Sequence, residues 1–487
     1  MYLGIDIGTS SVKALLLNDA GNVVDTSSAE IPISRPRPLW SEQKPSDWWT
    51  ATNMAVAGLD VNKRHKVRAV GLSGQMHGAT LLDKSLTPLR PAILWNDGRS
   101  IQESEDLQAR EPDFIAKGGN IVMPGFTAPK LEWVRRHEPD VFAKIHKVLL
   151  PKDYVRLRMT GEIASDMSDS AGTLWMDVAN RRWHAPLLAA CGLSEEQMPT
   201  LYEGPEETGI LRQEAAEAWG MDRVPVVAGG GDNAAGAVGV GVVDEGDALL
   251  SLGTSGVIFV AGNKFRSNPG SAAHAFCHAL PDRWHLMSVM LSAASCLDWA
   301  CRATGTKNAE TLIEKAEQDG TIAGQEVFLP YLSGERTPHN NPYASGVLFG
   351  LTHDTGTAQI AQAVLEGVAF GMADGLDALL ACGIDITSIS VIGGGSQSAY
   401  WGRILAAVLK RPLFYRDGAS SGPALGAARL ARYSQNPMSY EDAFGAPATT
   451  NVIEPHDADM DRLETKRKKF TRLYRALSDE FTGASNG

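Results

Sequence analysis

The first residues of the chain form a pattern suited to binding a phosphorylated ligand. An apolar segment carries Asp6 near its end, and the turn that follows begins with Gly8, Thr9 and Ser10. Gly8 permits a tight turn, and the two hydroxyls then stand beside exposed backbone N–H groups that can cradle phosphate oxygens. Asp6 could hold Mg²⁺ beside those phosphates. For this segment alone, a plain β-hairpin with a capping Asp remains the alternative.

The same turn occurs a second time, about half the chain away. Leu252 is followed by Gly253, Thr254, Ser255 and Gly256, again after an apolar run. Both copies predict a strand, a Gly-Thr-Ser turn and a second strand. Two glycine-rich turns, at residues 229–232 and 393–396, also follow apolar runs, and we interpret them as a second repeat. The halves are therefore predicted to share one fold, with two phosphate turns holding a nucleoside triphosphate between them.

Asp232 is the candidate catalytic group. It follows an apolar run that ends in three glycines, and it precedes a segment of small residues at helical spacing. An Asp at the carboxyl end of a strand faces the ligand crevice in α/β folds, although it could instead cap the following helix. The turn at 393–396 has a shape suited to nucleotides. The chain has neither a Gly-x-Gly-x-x-Gly fingerprint nor a P-loop, which disfavours a Rossmann dehydrogenase and a P-loop enzyme.

The elements that must position these groups follow an α/β pattern. Apolar runs at 67–72, 224–228, 248–252 and 389–392 predict buried strands. Apolar residues recur every four positions from Ile360 to Leu376, which predicts one face of a helix. The last thirty residues are charged with apolar residues at helical spacing, and we expect them to form a closing helix.

Composition excludes several classes of function. The 487 residues include 45 Lys and Arg against 57 Asp and Glu, a net charge of −12, which disfavours nonspecific nucleic-acid binding. The five Cys are scattered without metal-ligand spacing, so they predict buried thiols. Neither a signal-peptide core nor a run of about 18 apolar residues is present, which indicates a cytoplasmic protein without membrane contact. The length predicts at least two domains.

Longer motifs give the chain a family likeness. It resembles the FGGY carbohydrate kinases, within the actin, hexokinase and 70-kDa heat-shock superfamily of two-lobed ATPases. The family's first signature is matched at residues 125–137 and its second at 346–366. Further matching segments lie at 73–78, 93–99, 149–154 and 331–339. The likeness covers nearly the whole chain and weakens after about residue 430.

The resemblance implies an α/β protein with two ribonuclease-H-like (actin-like ATPase) domains facing each other across a catalytic cleft. We expect residues 1–243 to form the sugar-binding domain with the first phosphate turn. Residues 244–487 are expected to form the nucleotide-binding domain, including the closing C-terminal helices. The hinge is expected at 239–247.

The resemblance also implies roles for individual residues. Asp232 matches the catalytic base, and we expect it to be ionised at pH 7 with an ordinary pKa near 4. The expected sugar-binding residues are Met76, His77, Trp95, Asp232 and Asn233. The expected ATP-binding residues are Gly8, Thr9, Ser10, Lys13, Gly253, Thr254, Gly394, Gly395 and Ser396. Asp6 and Asp232 are the expected Mg²⁺ ligands.

The implied reaction is the ATP-dependent phosphorylation of D-xylulose at O5 to give D-xylulose 5-phosphate and ADP, a step of D-xylose catabolism. A kinase for ribulose, glycerol or another polyol is the alternative within the family. An actin- or chaperone-like ATPase is the alternative from another class, and a sugar-binding regulator without catalysis is disfavoured by Asp232. The partner is a small molecule, without nucleic acid or membrane, and a homodimer is a family expectation.

Overall fold

The computed structural model describes residues 1–418 and 421–481, except for the side chain of Ser396. Its strands, numbered in chain order, are β1 (Tyr2–Ile7), β2 (Ser11–Leu17), β3 (Val23–Glu30), β4 (Glu42–Gln43), β5 (Val70–Gly74), β6 (Thr80–Leu82), β7 (Ala92–Ile93), β8 (Lys147–Leu149), β9 (Ala164–Asp166), β10 (Met176–Asp177), β11 (Arg182–Trp183), β12 (Thr200–Tyr202), β13 (Glu207–Ile210), β14 (Pro225–Val227), β15 (Gly230–Gly231), β16 (Asp247–Leu252), β17 (Gly256–Gly262), β18 (His274–Cys277), β19 (Trp284–Met290), β20 (Val327–Leu329), β21 (Val347–Phe349), β22 (Ser388–Ile392), β23 (Leu413–Arg416) and β24 (Thr449–Ile453).

The helices are α1 (Pro45–Ala57), α2 (Val61–Arg64), α3 (Ile101–Arg110), α4 (Asp113–Ala116), α5 (Thr127–His137), α6 (Pro139–Phe142), α7 (Pro151–Thr160), α8 (Met167–Ala171), α9 (Ala185–Ala190), α10 (Gln213–Trp219), α11 (Asp232–Gly239), α12 (Ser295–Thr304), α13 (Ala309–Asp319), α14 (Thr357–Leu380), α15 (Ala399–Leu409), α16 (Pro423–Ser434), α17 (Tyr440–Phe444) and α18 (Asp457–Leu477). Short 3-10 turns lie at Glu195–Gln197, Pro269–Ser271, Gly394–Gln397 and Ser478–Glu480.

Two seven-stranded sheets organise the chain, and they repeat one topology. In the first, β1, β2 and β3 form an antiparallel meander, and β1 then pairs in parallel with β5 and β5 with β14. In the second, β16, β17 and β19 form the meander, followed by the parallel strands β22 and β23. Each sheet continues into an antiparallel strand, β13 or β24. The prediction that the halves share a fold is confirmed, and the four predicted strands are β5, β14, β16 and β22.

The second repeat read from the sequence, the pair of glycine-rich turns, is wrong. The turn at 229–232 follows β14, the second parallel strand of its sheet, whereas the turn at 393–396 follows β22, the first. The glycines recur because each turn crosses closely over a neighbouring strand. Gly229 has φ 76°, and a Cβ there would lie 1.8 Å from the carbonyl oxygen of Leu72. Gly393 has φ 95° and stands in the same relation to Leu252 at 2.5 Å.

Helix α16 belongs to the second half of the sequence but packs on the first sheet, against β1 and β5. The approach is close enough to require small residues. A Cβ on Gly426 would lie 1.8 Å from the carbonyl oxygen of Ala235 in α11. The small residues of α16 therefore allow it to pack tightly against α11 and to join the two halves.

The remaining sequence predictions of secondary structure are confirmed. Helix α14 buries the repeating apolar positions such as Val364 and Val368, and α18 closes the second half with Leu463 and Phe470 fully buried. All five cysteines are free thiols, and four of them are buried. Among the helices that the structure describes, none is both long and apolar enough to cross a bilayer.

Candidate active site

A cavity of about 260 Å³ lies between the two halves. All five predicted sugar-binding residues line it: Met76, His77, Trp95, Asp232 and Asn233. The second half contributes the opposite wall, with Ser251, Ser255, Val257, His274, Phe276, Met287, Val289 and Arg336. At about 30 Å³ per water molecule, the volume suits a small polar ligand of the size of a five-carbon sugar.

Asp232 opens helix α11 directly after the glycine turn. Gly231 is the N-cap residue, and Oδ1 of Asp232 accepts the backbone N–H of Asn233 at 2.7 Å and its Nδ2 at 2.9 Å. Oδ2 has no hydrogen-bond partner among the described residues. The two roles considered for Asp232 therefore coexist, because one oxygen satisfies the helix terminus and the other is available to a ligand.

The electrostatics of Asp232 differ from the expectation of an ordinary acid. Burial and the negative charge of Asp6 raise the pKa of Asp232 to about 7. Burial raises the pKa of Asp6 to about 6, against the opposing effects of the nearby Ser73 hydroxyl and of the positive charge of Lys13. The expected pKa near 4 is therefore wrong for the protein without a bound cation, because two like charges share a poorly solvated site.

The donor set of this site fits Mg²⁺. Oδ1 of Asp6 is buried without a hydrogen-bond partner in the described part of the chain, and a neighbouring carboxylate repels it. Mg²⁺ is typically held by one or two carboxylates, with water and substrate phosphates completing an octahedron. Consistent with that sparse ligation, the described residues contain no group of three or more His, Cys, Asp or Glu side chains poised around a metal.

The first Gly-Thr-Ser turn lies at the edge of the cavity. The N–H of Gly8 donates to the carbonyl of Ser11 at 3.0 Å and closes the β1–β2 hairpin, which pairs Asp6 with Lys13. The indole N–H of Trp95, a cavity residue, donates to the Thr9 hydroxyl at 3.0 Å. The sugar cavity and the first turn are thus linked by a direct hydrogen bond.

The second turn has the same local closure. The N–H of Gly253 donates to the carbonyl of Ser255 at 3.0 Å, and the start of α12 fixes Thr254 because the Ser295 hydroxyl donates to its carbonyl at 2.9 Å. Ser251 and Ser255 line the cavity on either side of this turn. The second turn is therefore held at the cavity wall opposite Asp232.

The predicted adenosine-side turn adjoins the second phosphate turn. A Cβ on Gly395 would lie 3.1 Å from the Cβ of Leu252, whereas one on Gly394 would meet only open space. The side chain of Ser396 lies outside the described residues. The other eight predicted ATP-binding residues are not among the residues that line the cavity, and Lys13 faces Asp6 across the hairpin.

His77 has an unusual backbone and a defined tautomer. Its φ is 69°, and its Nδ1 lies 2.8 Å from the carbonyl of Gly172. Burial, with the nearby positive charges of Lys130 and Arg336, lowers the pKa of His77 to about 3. The neutral ring therefore carries its proton on Nδ1, which leaves Nε2 as an acceptor for a sugar hydroxyl.

Lys130, in the first family signature at residues 125–137, holds the backbone of His77 in place. Lys130, fully buried in α5, donates from Nζ to the carbonyls of His77 at 2.9 Å and Gly125 at 2.8 Å. Both carbonyls belong to cavity-lining residues. A left-handed conformation at a non-glycine residue costs about 1–3 kcal/mol and persists only where surrounding contacts hold it.

A buried ionic network supports the turn that carries Asp232. Lys152 pairs with three buried carboxylates, those of Asp153, Asp166 and Asp169. Arg156 donates to the Val227 carbonyl at 2.7 Å at the end of β14. The network reaches the turn itself through Ser168, which hydrogen-bonds Asp166 and accepts the N–H of Gly231 at 3.0 Å.

The matched segment 93–99 reaches the cavity only through Trp95. Asp97 and Arg99 of the same segment form a buried ion pair that does not line the cavity. The missed cavity residues include His274, Phe276 and Arg336. Arg336 lies in the matched segment 331–339, which is a usable signal, whereas nothing in the sequence distinguishes His274 or Phe276.

Comparisons with known proteins identify the family of the chain. The N-terminal domain model of the FGGY family of carbohydrate kinases matches residues 1–239, and the C-terminal domain model matches 248–434. The chain belongs to the FGGY family of carbohydrate kinases. It is therefore an ATP-using phosphotransferase whose acceptor is a carbohydrate, as expected from its motifs.

Several FGGY kinases are similar over nearly their whole length. The xylulose kinase of Escherichia coli K12 is 57% identical over 98% of this chain and 99% of the relative, and that of Bacillus subtilis is 35% identical over 88% and 87%. The crystal structure of a xyloylose kinase from Brucella ovis has a TM-score of 0.95 at 48% identity, covering 98% of this chain and 99% of its own. The two-domain α/β architecture is thus that of the family.

Proposed function

We propose that this chain transfers the γ-phosphoryl group of ATP to O5 of D-xylulose, giving D-xylulose 5-phosphate and ADP. The observation that carries the proposal is the cavity. It has the size of a pentulose, an available carboxylate oxygen of Asp232 lines it, and phosphate turns border it. The similarity to relatives described as xylulose kinases, at 57% identity for one of them, supports this acceptor over others.

In this reaction Asp232 accepts the proton of O5 and aligns that oxygen with the γ-phosphorus. The transition state of phosphoryl transfer is loose, so positioning and charge stabilisation supply most of the catalysis. Burial raises the pKa of Asp232, which makes it a stronger base than an ordinary Asp once it is ionised. Met76, His77, Trp95 and Asn233 hold the sugar.

We assign the nucleotide to the turns. The backbone N–H groups and hydroxyls of Thr9, Ser10 and Thr254 bind phosphate oxygens, with Gly8, Lys13 and Gly253, and the turn at 394–396 contacts the adenosine. Asp6 and Asp232 are the residues that would hold Mg²⁺, which would neutralise phosphate charge when bound.

We also propose that the domain boundary lies between residues 243 and 244, with the hinge at 239–247. This segment connects α11, which begins with Asp232, to β16, which leads into the second phosphate turn. Closure of the two halves would exclude water, the competing nucleophile for the γ-phosphoryl group.

A coupled assay for ADP tests the proposal, with D-xylulose, D-ribulose, L-ribulose and glycerol as acceptors and a control without acceptor. We expect the highest kcat/KM with D-xylulose and very little ADP without a sugar. A preference for ribulose or glycerol would replace the acceptor but keep the reaction class. Turnover that does not depend on any sugar would favour the actin- or chaperone-like ATPase and overturn the proposal.

A further inference from the structure

Arg336 brings a guanidinium into the sugar cavity from the second half of the chain. Its one side-chain hydrogen bond within the described residues joins Nη1 to Nε2 of His274 at 3.3 Å. The same part of the structure has no carboxylate within ion-pair distance of it. Burial lowers the pKa of Arg336, as expected for a poorly solvated charge. Most of its five N–H donors therefore lack a protein acceptor.

The adjacent carboxylate does not neutralise this charge. Oε1 of Glu335 accepts the backbone N–H groups of Leu291 at 3.0 Å and Arg336 at 2.7 Å. Burial raises the pKa of Glu335 to about 8, and among the described residues neither of its carboxyl oxygens lies within ion-pair distance of the Arg336 guanidinium. The guanidinium of Arg336 is thus left to a ligand in the cavity.

Among the described residues that line the cavity, one side chain is acidic and one is cationic. Asp232 is the acidic one, and Asp6 is the charged group that acts on it. Arg336 is the cationic one, and its charge acts on His77. The other positive charge near His77, that of Lys130, donates its hydrogen bonds to backbone carbonyls. The charges of the cavity are therefore divided between a base at Asp232 and a cationic donor at Arg336.

The chemistry of the acceptor fits this division. Phosphorylation at O5 requires a free O5, so the bound ketopentose is in the open-chain form and has a free carbonyl at C2. With O5 at Asp232, the carbonyl end of the sugar is the end available to Arg336. A carbonyl oxygen only accepts hydrogen bonds, and a guanidinium only donates them.

Building on the proposed function, we infer that Arg336 is a specificity-determining residue that donates hydrogen bonds to the C2 carbonyl end of the sugar. A reduced analogue such as xylitol brings a hydroxyl to C2, and the proton of that hydroxyl has no acceptor on a guanidinium. Arg336 would therefore favour the ketose over the polyol. Because it comes from the second half, it would also couple recognition of the carbonyl to the approach of the two halves.

The test compares Arg336→Met and Arg336→Lys with the wild-type enzyme. For Arg336→Met we expect the KM for D-xylulose to rise about 10–100-fold, the range for a lost charge-assisted hydrogen bond, while the KM for ATP changes less than about twofold. The inhibition constant of xylitol, measured as a competitor of D-xylulose, should change far less than the KM for D-xylulose. Arg336→Lys keeps the positive charge but loses the planar set of guanidinium N–H donors, so it should give an intermediate KM for D-xylulose.

Arg302→Met is the matched control, because Arg302 is an exposed arginine of the same half. It should leave all three constants unchanged. An unchanged KM for D-xylulose in both Arg336 variants would overturn the inference, as would equal losses for D-xylulose and xylitol. A fall in kcat alone would also overturn it, because it would assign Arg336 to the phosphoryl group. If wild-type enzyme fails to phosphorylate D-xylulose, the proposed function has failed instead.

Discussion

The negative charge of Asp6 acts on Asp232 and helps to raise its pKa to about 7. The two carboxylates come from the first strand and from helix α11, which the parallel strands of the first sheet bring together. A pair of like charges in a poorly solvated site is unfavourable unless a cation lies between or beside them. The Asp6 and Asp232 carboxylates therefore repel each other in the unliganded site, and a magnesium-bound phosphate donor would relieve this repulsion.

Replacing Asp232 tests its role as the base. We expect Asp232→Ala to lower kcat by at least about 10²–10⁴-fold, the usual contribution of a positioned base, with a change of only a few-fold in the KM for D-xylulose. Steady-state kinetics with saturating ATP would measure both. Asp298→Ala, at an exposed aspartate, is the control. Near-normal turnover by the Asp232 variant would contradict the assignment.

The repulsion between Asp6 and Asp232 makes stability depend on pH. Because folding raises the pKa of Asp232 from about 4 to about 7, the folded state binds the proton more tightly, and stability falls as the pH rises through this window. Asp232→Asn removes the charge, so its Tm should exceed that of the wild type by a few degrees at pH 8.

The comparison needs scanning calorimetry from pH 4 to pH 8 without nucleotide or magnesium. The gap between the variant and the wild type should be small at pH 4, where Asp232 is protonated in the folded state and about half protonated in the unfolded state, and should widen toward pH 8. A gap that does not change with pH would show that the side-chain amide, and not the lost charge, causes the effect.

The sequence predicted the parts of this molecule that depend on local pattern. The two Gly-Thr-Ser turns form hairpins because glycine and flanking apolar runs decide such a turn within a few residues. The five predicted sugar residues meet in one cavity because family motifs encode their positions. The glycine turns at 229–232 and 393–396 were wrongly paired as a repeat for the same reason. Glycines show that a turn crosses closely over a neighbouring strand, but they do not show which strand of the sheet the turn follows.

Properties that depend on long-range packing were not predictable. The raised pKa of Asp232 needs both burial and Asp6, and neither is visible in the residues around position 232. The return of α16 to the first sheet is likewise a contact between distant segments. His274 and Phe276 enter the cavity because β18 lies at the edge of the second sheet, a position that alternation of residues along a strand does not reveal.

Removing Lys152 should test the ionic network behind the catalytic turn. Its Nζ lies 2.6 Å from Asp153 and 2.7 Å from Asp166, and all three side chains are fully buried. Lys152→Met would leave buried carboxylates without their main counter-charge, at an expected cost of about 3–5 kcal/mol in the free energy of unfolding. Urea denaturation would measure the loss.

Two further variants show whether charge is the cause. Lys66→Met, at an exposed lysine, should leave the urea midpoint unchanged. Adding Asp166→Asn to Lys152→Met should recover part of the lost stability, because it removes one unpaired buried charge. If the double variant is as unstable as the sum of two independent losses, the charge explanation is wrong.

Two glycines at the junction of the halves should respond to alanine with opposite signs. In β5, a Cβ on Gly71 would lie 1.9 Å from the carbonyl oxygen of Ala427 in α16, a backbone atom that cannot move aside. Gly71→Ala should therefore cost about 3 kcal/mol through overpacking. In α11, a Cβ on Gly236 would meet only Pro423, at 3.9 Å, so Gly236→Ala should gain up to about 1 kcal/mol from helix propensity. Thermal unfolding of the two variants measures the sign of each change in Tm. If Gly71→Ala lowers the Tm no more than Gly236→Ala does, the close packing of α16 on the first sheet does not limit which residues position 71 tolerates.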